Sequence, residues 1–168
     1  MQKEKKGKKL KVPYFHQHTS YNCGPASIEM LLAFFGKKEP ELKLAKLAKT
    51  KKSGTENKGL INLARREGFY CYVHENSSIN QIKHFINLNL PIIIDYIEPS
   101  RNEGHYAVIT GYNKKEIILN DPWNGKNFKL PYKQFQKRWH GSNKNCKNWI
   151  LVLSKNKFNL GRQYSPIK

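Results

Sequence analysis

Two apolar segments separated by three residues constrain the fold of this chain most strongly. Residues 104–112 and 116–120 are rich in β-branched and other apolar residues, and the Asn-Lys-Lys sequence between them is polar and turn-like. This pattern predicts an antiparallel β-hairpin in the second half of the chain.

The length of the hairpin loop decides which side chains share a face. With a three-residue loop, Tyr112 pairs with Glu116 and Asp121 falls opposite Ala107. Asp121 then lies on the same face of the sheet as His105 and diagonal to it, at about 7–8 Å between Cβ atoms. A loop of two or four residues would move Asp121 to the other face.

The other segments indicate helices first and strands second. Helical spacing and capping residues predict helices at 23–36, 41–49, 58–67, 79–88 and 132–139. Short β-rich runs predict strands at 69–73, 91–97, 127–130 and 148–153. Helices followed by a largely antiparallel sheet are typical of the α+β class.

A cysteine stands at the start of the first predicted helix. Gly24 and Pro25 follow Cys23, apolar residues recur at helical spacing, and Gly36 is a natural end. A thiol at this position faces backbone N–H groups without intrahelical partners and the positive end of the helix dipole. Because the dipole favours an anion by only about 0.3–1 kcal/mol, a cysteine nucleophile also requires a cationic partner such as an imidazolium.

Three further residues predict a catalytic site around this cysteine. His105 is the best-placed histidine, since it stands where a buried strand begins. Asp121 lies within reach of the His105 ring in the predicted register and can orient it. Gln17 precedes Cys23 by six residues, and its side-chain amide, with the Cys23 backbone N–H, can donate hydrogen bonds to an oxyanion.

These motifs resemble those of a known family, the papain-like cysteine peptidases of the bacteriocin-processing, double-glycine leader type. The similar motifs occur in the same order, as Gln17 with Cys23-Gly24-Pro25-Ala26, Gly104-His105-Tyr106 before Gly111-Tyr112, and Asn120-Asp121-Pro122 before Gly125. The resemblance spans residues 12–153. It implies a papain-like fold, with a helical half packed on a largely antiparallel sheet.

The resemblance also implies roles for the four site residues. Cys23 is the nucleophile, His105 the general base and acid, Asp121 the residue that orients His105, and Gln17 the oxyanion donor. The implied activity is hydrolysis of a peptide or protein substrate through an acyl-enzyme, after Gly-Gly in the bacteriocin-processing members, without a cofactor.

Three other functions stay open. Acyl transfer to an amine, as in transglutaminases and transpeptidases, uses the same residues. A non-catalytic peptide-binding module of the same fold is the second alternative, although such modules are expected to lose the cysteine. A basic nucleic-acid-binding protein is the third.

Other residues compete for parts of the site. His16 and His18 flank Gln17, and either can point into the cleft in its place. With Cys23 these histidines are also candidate metal ligands, but they lack the paired spacing typical of zinc sites. Asp95 is the substitute orienting residue for a different hairpin register.

Cysteine content and hydropathy predict a cytoplasmic protein. Cys23, Cys71 and Cys146 are an odd number of cysteines, and the chain has neither a secretory signal nor 18 consecutive apolar residues. We therefore expect a reducing compartment and free thiols, with Cys71 and Cys146 as packing residues.

Length and charge predict one basic domain. We expect a lysine-rich disordered arm over residues 1–11, the peptidase domain over residues 12–154 and a basic tail over residues 155–168. The net charge of +19 favours non-specific contact with polyanions. The lysines are dispersed and accompany no nucleic-acid-binding motif, so a solvated basic surface is the simpler interpretation.

Overall fold

The structure, a computed structural model, describes residues 6–159 and 161–168. The helices are α1 (Cys23–Phe34), α2 (Glu41–Leu47), α3 (Asn57–Arg66), α4 (Ile79–Asn87) and α5 (Tyr132–Arg138). The strands are β1 (Gly7–Lys9), β2 (Tyr70–His74), β3 (Ile92–Ile97), β4 (Gly104–Asn113), β5 (Glu116–Asp121), β6 (Gly125–Pro131), β7 (Ile150–Ser154) and β8 (Gln163–Tyr164).

These strands form one antiparallel sheet in the order β6-β5-β4-β3-β7-β2-β8, and β1 pairs with the end of β4. β4 is an interior strand, which pairs with β3, β1 and β5. Helices α1, α2 and α3 pack against one another, and α1 also packs against β4. The predicted α+β class, with helices packed on a largely antiparallel sheet, is confirmed.

α1 is the central helix of the helical half. Most of its residues are buried, namely Cys23, Gly24, Pro25, Ala26, Ser27, Ile28, Met30, Leu31 and Leu32. A helix that is apolar on nearly every face is expected in an interior. Gly24 permits close packing, because a Cβ there would lie 3.0 Å from both Thr55 Oγ1 and Leu60 Cδ2. α1 therefore carries its first residue, Cys23, to the junction of helices and sheet.

The turn of the β4–β5 hairpin differs from the prediction. Tyr112 pairs with Ile117 and not with Glu116, so four residues separate the paired positions instead of three. A four-residue loop alone would place Asp121 on the face away from His105.

A β-bulge restores the predicted face. The register shifts by one residue between Ile109 and Gly111, and beyond the bulge Val108 pairs with Asn120. This is the pairing that a three-residue loop predicts for that end of the hairpin. Asp121 thus reaches the predicted side of the sheet, by a longer loop and a compensating bulge.

Part of the predicted N-terminal arm lies in the sheet. The prediction of disorder over residues 1–11 is wrong for β1, which pairs with β4, and for Leu10, whose side chain is buried. Gly111 permits the approach of β1, because a Cβ there would lie 2.4 Å from the Lys8 carbonyl oxygen. Backbone pairing therefore outweighs the polar composition of this segment. Residues 1–5 lie outside the described residues.

The predicted basic tail also contacts the domain. β8 pairs with β2, and the Ile167 N–H donates to the Arg65 carbonyl oxygen at 3.0 Å. The remaining predicted helices and strands are present, and their ends differ from the predicted ones by at most two residues. In the described ranges, no helix is long and apolar enough to cross a bilayer.

Candidate active site

Cys23 lies at the start of a helix, as predicted for the nucleophile. It is the first residue of α1, with Asn22 as the N-cap, and only 8% of its surface is exposed. Its Sγ accepts a hydrogen bond from the Tyr106 backbone N–H at 3.5 Å. Because Tyr106 directly follows His105 on β4, this contact places the sulfur beside the imidazole.

His105 lies between the Cys23 thiol and the Asp121 carboxylate. Its Nε2 is 2.7 Å from Asp121 Oδ1, which leaves Nδ1 for the sulfur. Burial alone would lower the pKa of His105, but hydrogen bonds and charge interactions with Asp121 and Cys23 raise it. The site therefore favours an imidazolium beside the sulfur, the cationic partner that a reactive thiolate requires.

The Asp121 carboxylate is fully buried and surrounded by donors. Oδ1 also accepts the backbone N–H groups of Trp123 at 2.8 Å and Asn124 at 2.9 Å. Oδ2 accepts the Tyr96 hydroxyl and the Asn124 side-chain amide. Burial would raise the pKa of Asp121, yet hydrogen bonding to His105, the charge of its ring and the Tyr96 hydroxyl hold it below its usual value. Asp121 therefore stays ionised.

Tyr96 is a site residue that the sequence analysis missed. It pairs directly with His105 across β3 and β4, its side chain is buried, and burial raises the pKa of its hydroxyl. A tyrosine within an apolar run carries no local signal of this role, because the role depends on the β3–β4 register. Asp95, the substitute orienting residue, precedes Tyr96 and faces away from that contact in the strand. His105 Nε2 instead donates its hydrogen bond to Asp121 Oδ1.

Gln17 lies on the loop before α1, as predicted, and is 2% exposed. Its backbone N–H donates to the Pro122 carbonyl oxygen at 3.0 Å, which ties this loop to the residue after Asp121. Its Nε2 donates to the Thr19 carbonyl oxygen at 2.7 Å, and an amide nitrogen has a second hydrogen. The side chain can therefore donate to a ligand as well.

The histidines that flank Gln17 have other surroundings. The ring of His16 packs against Trp123 at 5.8 Å between centroids. The side chain of His18 is 71% exposed. Across residues 6–159 and 161–168, no group of three or more histidine, cysteine, aspartate or glutamate side chains is arranged to hold a metal ion.

The other two cysteines are free thiols, and we expect both to react slowly. Cys71 is fully buried, and burial raises the pKa of its thiol to about 12. Cys146 is half-buried, and burial also raises the pKa of its thiol. Because the thiolate is the reactive form, a raised pKa makes these two thiols less reactive. They can therefore serve as internal controls for the reactivity of Cys23.

Comparisons with known proteins identify the family of this chain. The model of the Peptidase C39 family matches residues 11–147. The transport/processing ATP-binding protein ComA of Streptococcus pneumoniae is 33% identical over 134 residues, which are 76% of this chain and 18% of ComA. An uncharacterized protein of Methanothermobacter thermautotrophicus is 30% identical over 110 residues, 66% of this chain and 71% of that protein. The chain thus spans less than a fifth of the transport/processing relatives that it matches.

Solved structures share the fold. The peptidase domain of Streptococcus ComA superposes with a TM-score of 0.71 at 24% identity and covers 84% of this chain and 97% of that domain. A double glycine motif protease from an AMS/PCAT transporter, solved with its leader peptide, gives a TM-score of 0.70 at 24% identity, with 86% and 92% covered. The predicted papain-like fold is confirmed. With a family match over most of its length, this chain belongs to the Peptidase C39 family of cysteine peptidases.

Proposed function

We propose that this protein hydrolyses peptide bonds through Cys23, His105 and Asp121, with cleavage after a Gly-Gly pair. One observation carries the proposal, namely that His105 is buried between the Cys23 sulfur and the Asp121 carboxylate. The preference for Gly-Gly is supported by the likeness to a double glycine motif protease and to transport/processing proteins.

The reaction begins with proton transfer from the Cys23 sulfur to His105 Nδ1. The sulfur then attacks the peptide carbonyl carbon, a C–S bond forms, and the carbonyl π electrons move to oxygen. The Cys23 backbone N–H and Gln17 Nε2 donate hydrogen bonds to this oxyanion. When the intermediate collapses, the C–N bond breaks and His105 protonates the leaving amine. Water, deprotonated by His105, attacks the thioester and releases the acid and the Cys23 thiol.

The intact site argues against a non-catalytic binding module. Such a module has no need of a thiol, yet Cys23 is held beside an imidazole whose other nitrogen is bound by a buried carboxylate. Transfer of the acyl group to an amine follows the same steps as hydrolysis up to the acyl-enzyme. The two reactions differ only in the acceptor, which is an amine in one and water in the other. We assign hydrolysis because the relatives with a stated activity are processing proteins and proteases.

We also propose that the net charge of +19 draws acidic peptides and other polyanions to the surface. This attraction is long-ranged and independent of sequence, so salt should weaken it. It would raise the rate of encounter with an acidic substrate without selecting the bond that is cut.

Cleavage of a synthetic peptide tests the proposed function. A peptide with an internal Gly-Gly is incubated with the protein, and the products are identified by mass spectrometry, alongside a peptide with Ala-Ala at the same place. We expect a single cut after Gly-Gly and no cut in the matched peptide. Added glycinamide separates the two acyl acceptors, because an acyl amide product would mean transfer and a free acid means hydrolysis.

Variants identify the residues that carry the reaction. Cys23→Ala should abolish cleavage, and Asp121→Asn should reduce it by orders of magnitude, whereas Asp95→Asn should retain it. At mildly acidic pH, a thiol-reactive electrophile should modify Cys23 ahead of Cys71, and His105→Ala should remove that selectivity. Cleavage that survives Cys23→Ala would refute the proposed mechanism.

A further inference from the structure

A buried carboxylate outside the catalytic group contacts the loop before α1. Glu41 is the first residue of α2, and its side chain has no exposed surface. Its Oε1 accepts the Asn22 side-chain amide at 2.8 Å and the His18 backbone N–H at 3.1 Å, and Oε2 lies 3.3 Å from the same N–H. The sequence analysis did not single out this residue, because only the fold brings α2 to the loop.

The two residues held by Glu41 are neighbours of the two proposed oxyanion donors. His18 directly follows Gln17, and Asn22 directly precedes Cys23. One carboxylate thus holds the chain at both ends of the 18–22 loop. The contacts within the loop are longer, since the Asn22 N–H is 3.5 Å from the Thr19 carbonyl oxygen.

The contact with Glu41 also turns the Asn22 side chain away from α1. Asparagine at an N-cap usually accepts a backbone N–H of the first helical turn. Here Asn22 makes no such bond, and its Oδ1 is buried without a partner. Since Pro25 has no N–H, the first turn retains the N–H groups of Cys23 and Gly24 as donors for a ligand.

We propose that Glu41 is a positioning residue for the oxyanion site, which rests on the proposed peptidase function. It fixes the spacing of Gln17 and Cys23 and keeps the Asn22 oxygen from occupying the start of α1. The imidazole and carboxylate are held by β4, β5 and Tyr96, so their geometry does not depend on Glu41. Loss of Glu41 should therefore impair the oxyanion site and spare the Cys23–His105 pair.

Two reactions of the same sulfur separate these effects. Cleavage of the Gly-Gly peptide develops an oxyanion, whereas alkylation by chloroacetamide is a displacement at carbon that develops none. In Glu41→Ala we expect kcat to fall by about 10–100-fold, with KM within about twofold of the unchanged protein. Alkylation of Cys23 at mildly acidic pH should stay within about twofold of the unchanged rate. Glu41→Gln keeps an acceptor oxygen and should lose less activity.

Glu39→Gln is the matched control. Glu39 lies two residues earlier and pairs with Lys43 at 2.7 Å on the surface, so its loss should leave both reactions unchanged. Equal cleavage by Glu41→Ala and the control would overturn the proposal. A parallel loss of cleavage and alkylation would also overturn it, because it would mean that Glu41 supports the fold or the thiol–imidazole pair.

Hydrogen exchange tests the loop independently of turnover. Backbone amides of residues 17–23 should exchange faster in Glu41→Ala than in Glu39→Gln, while β4 and β5 stay protected. Unchanged exchange in this loop would overturn the positioning role. Should the unchanged protein cut no peptide, the proposed function fails by that result, and the exchange measurement still decides whether Glu41 orders the loop.

Discussion

Replacing Tyr96 with phenylalanine tests how the Asp121 carboxylate is held. The change removes one hydroxyl from a fully buried side chain and keeps the ring that fills the space. The lost hydroxyl is the one that donates to Asp121 Oδ2, and only the longer contact from Asn124, at 3.3 Å, remains at that oxygen. The carboxylate therefore loses its closest donor on the side away from His105.

The size of the effect follows from the charge of the acceptor. A hydrogen bond to a buried ionised group contributes about 1.5–3 kcal/mol to the free energy of unfolding. For a chain of this length each 1 kcal/mol shifts Tm by about 2–4 °C, so we expect Tm to fall by about 3–12 °C at pH 7. A less firmly held Asp121 orients His105 less well, and we expect kcat/KM to fall about tenfold, which corresponds to about 1.4 kcal/mol.

The pH dependence of the stability loss identifies its cause. The pKa of Asp121 is lowered in the folded protein, so the carboxylate stabilises the fold fully above its unfolded pKa of about 3.9. This contribution is lost as pH falls through the lower folded-state pKa. The difference in Tm between Tyr96→Phe and the unchanged protein should therefore be largest at neutral pH and shrink in acid.

Tyr14→Phe is the matched control. The Tyr14 hydroxyl also donates to Asp121, at 2.8 Å, but to its backbone carbonyl oxygen and not to its carboxylate. Tyr14→Phe should therefore lower the free energy of unfolding by about 0.5–1.5 kcal/mol. This loss should not shrink in acid, and kcat/KM should stay nearly unchanged. If the two variants lose equal activity, the reasoning about the carboxylate is refuted.

Two further predictions concern the sheet and the imidazole. Gly111→Ala should lower the free energy of unfolding, measured by urea denaturation, by about 1–3 kcal/mol, because the added Cβ would clash with the Lys8 carbonyl oxygen. Gly161→Ala, which meets nothing within 4 Å, should change it by at most about 0.5 kcal/mol, and an equal loss in both would contradict the close approach of β1. The raised pKa of His105 means that its protonation stabilises the fold fully below about pH 6.5, and that this contribution is lost as pH rises through the folded-state pKa. Tm should therefore fall with alkaline pH more steeply in the unchanged protein than in His105→Gln, and parallel curves would exclude His105 as the source.

Local sequence patterns predict the helices, the strands and the position of Cys23 because each depends on residues near in the chain. Ser78 shows this well, since its side chain and that of Gln81 form the capping box that begins α4. The β1 strand shows the limit. Its lysines predict disorder, and its pairing with β4 depends on Gly111, about a hundred residues away.

The His105–Asp121 contact depends on two features that sequence patterns predict poorly. The loop is one residue longer than predicted, and the bulge near Thr110 shifts the register back by one residue. Either feature alone would separate the imidazole from the carboxylate. The contacts that Tyr96 and Glu41 make with the site are even harder to predict from the sequence, because each joins elements that meet only in the folded chain.

The buried charges show how a basic chain builds this site. Among the described residues, three acids are buried as whole residues, Glu41, Glu98 and Asp121, and none of these three is paired with lysine or arginine. Each accepts backbone N–H groups from a different loop: His18 for Glu41, Ser100 and Arg101 for Glu98, and Trp123 and Asn124 for Asp121.

A buried carboxylate satisfied by backbone donors fixes the path of the chain, which a mobile surface ion pair does not. In sequence, the first loop precedes Cys23, the second precedes His105 and the third follows Asp121, and the Asn124 amide joins Glu98 to Asp121. These three buried acids therefore order the loops around the proposed catalytic pair, while the excess of lysine stays at the surface.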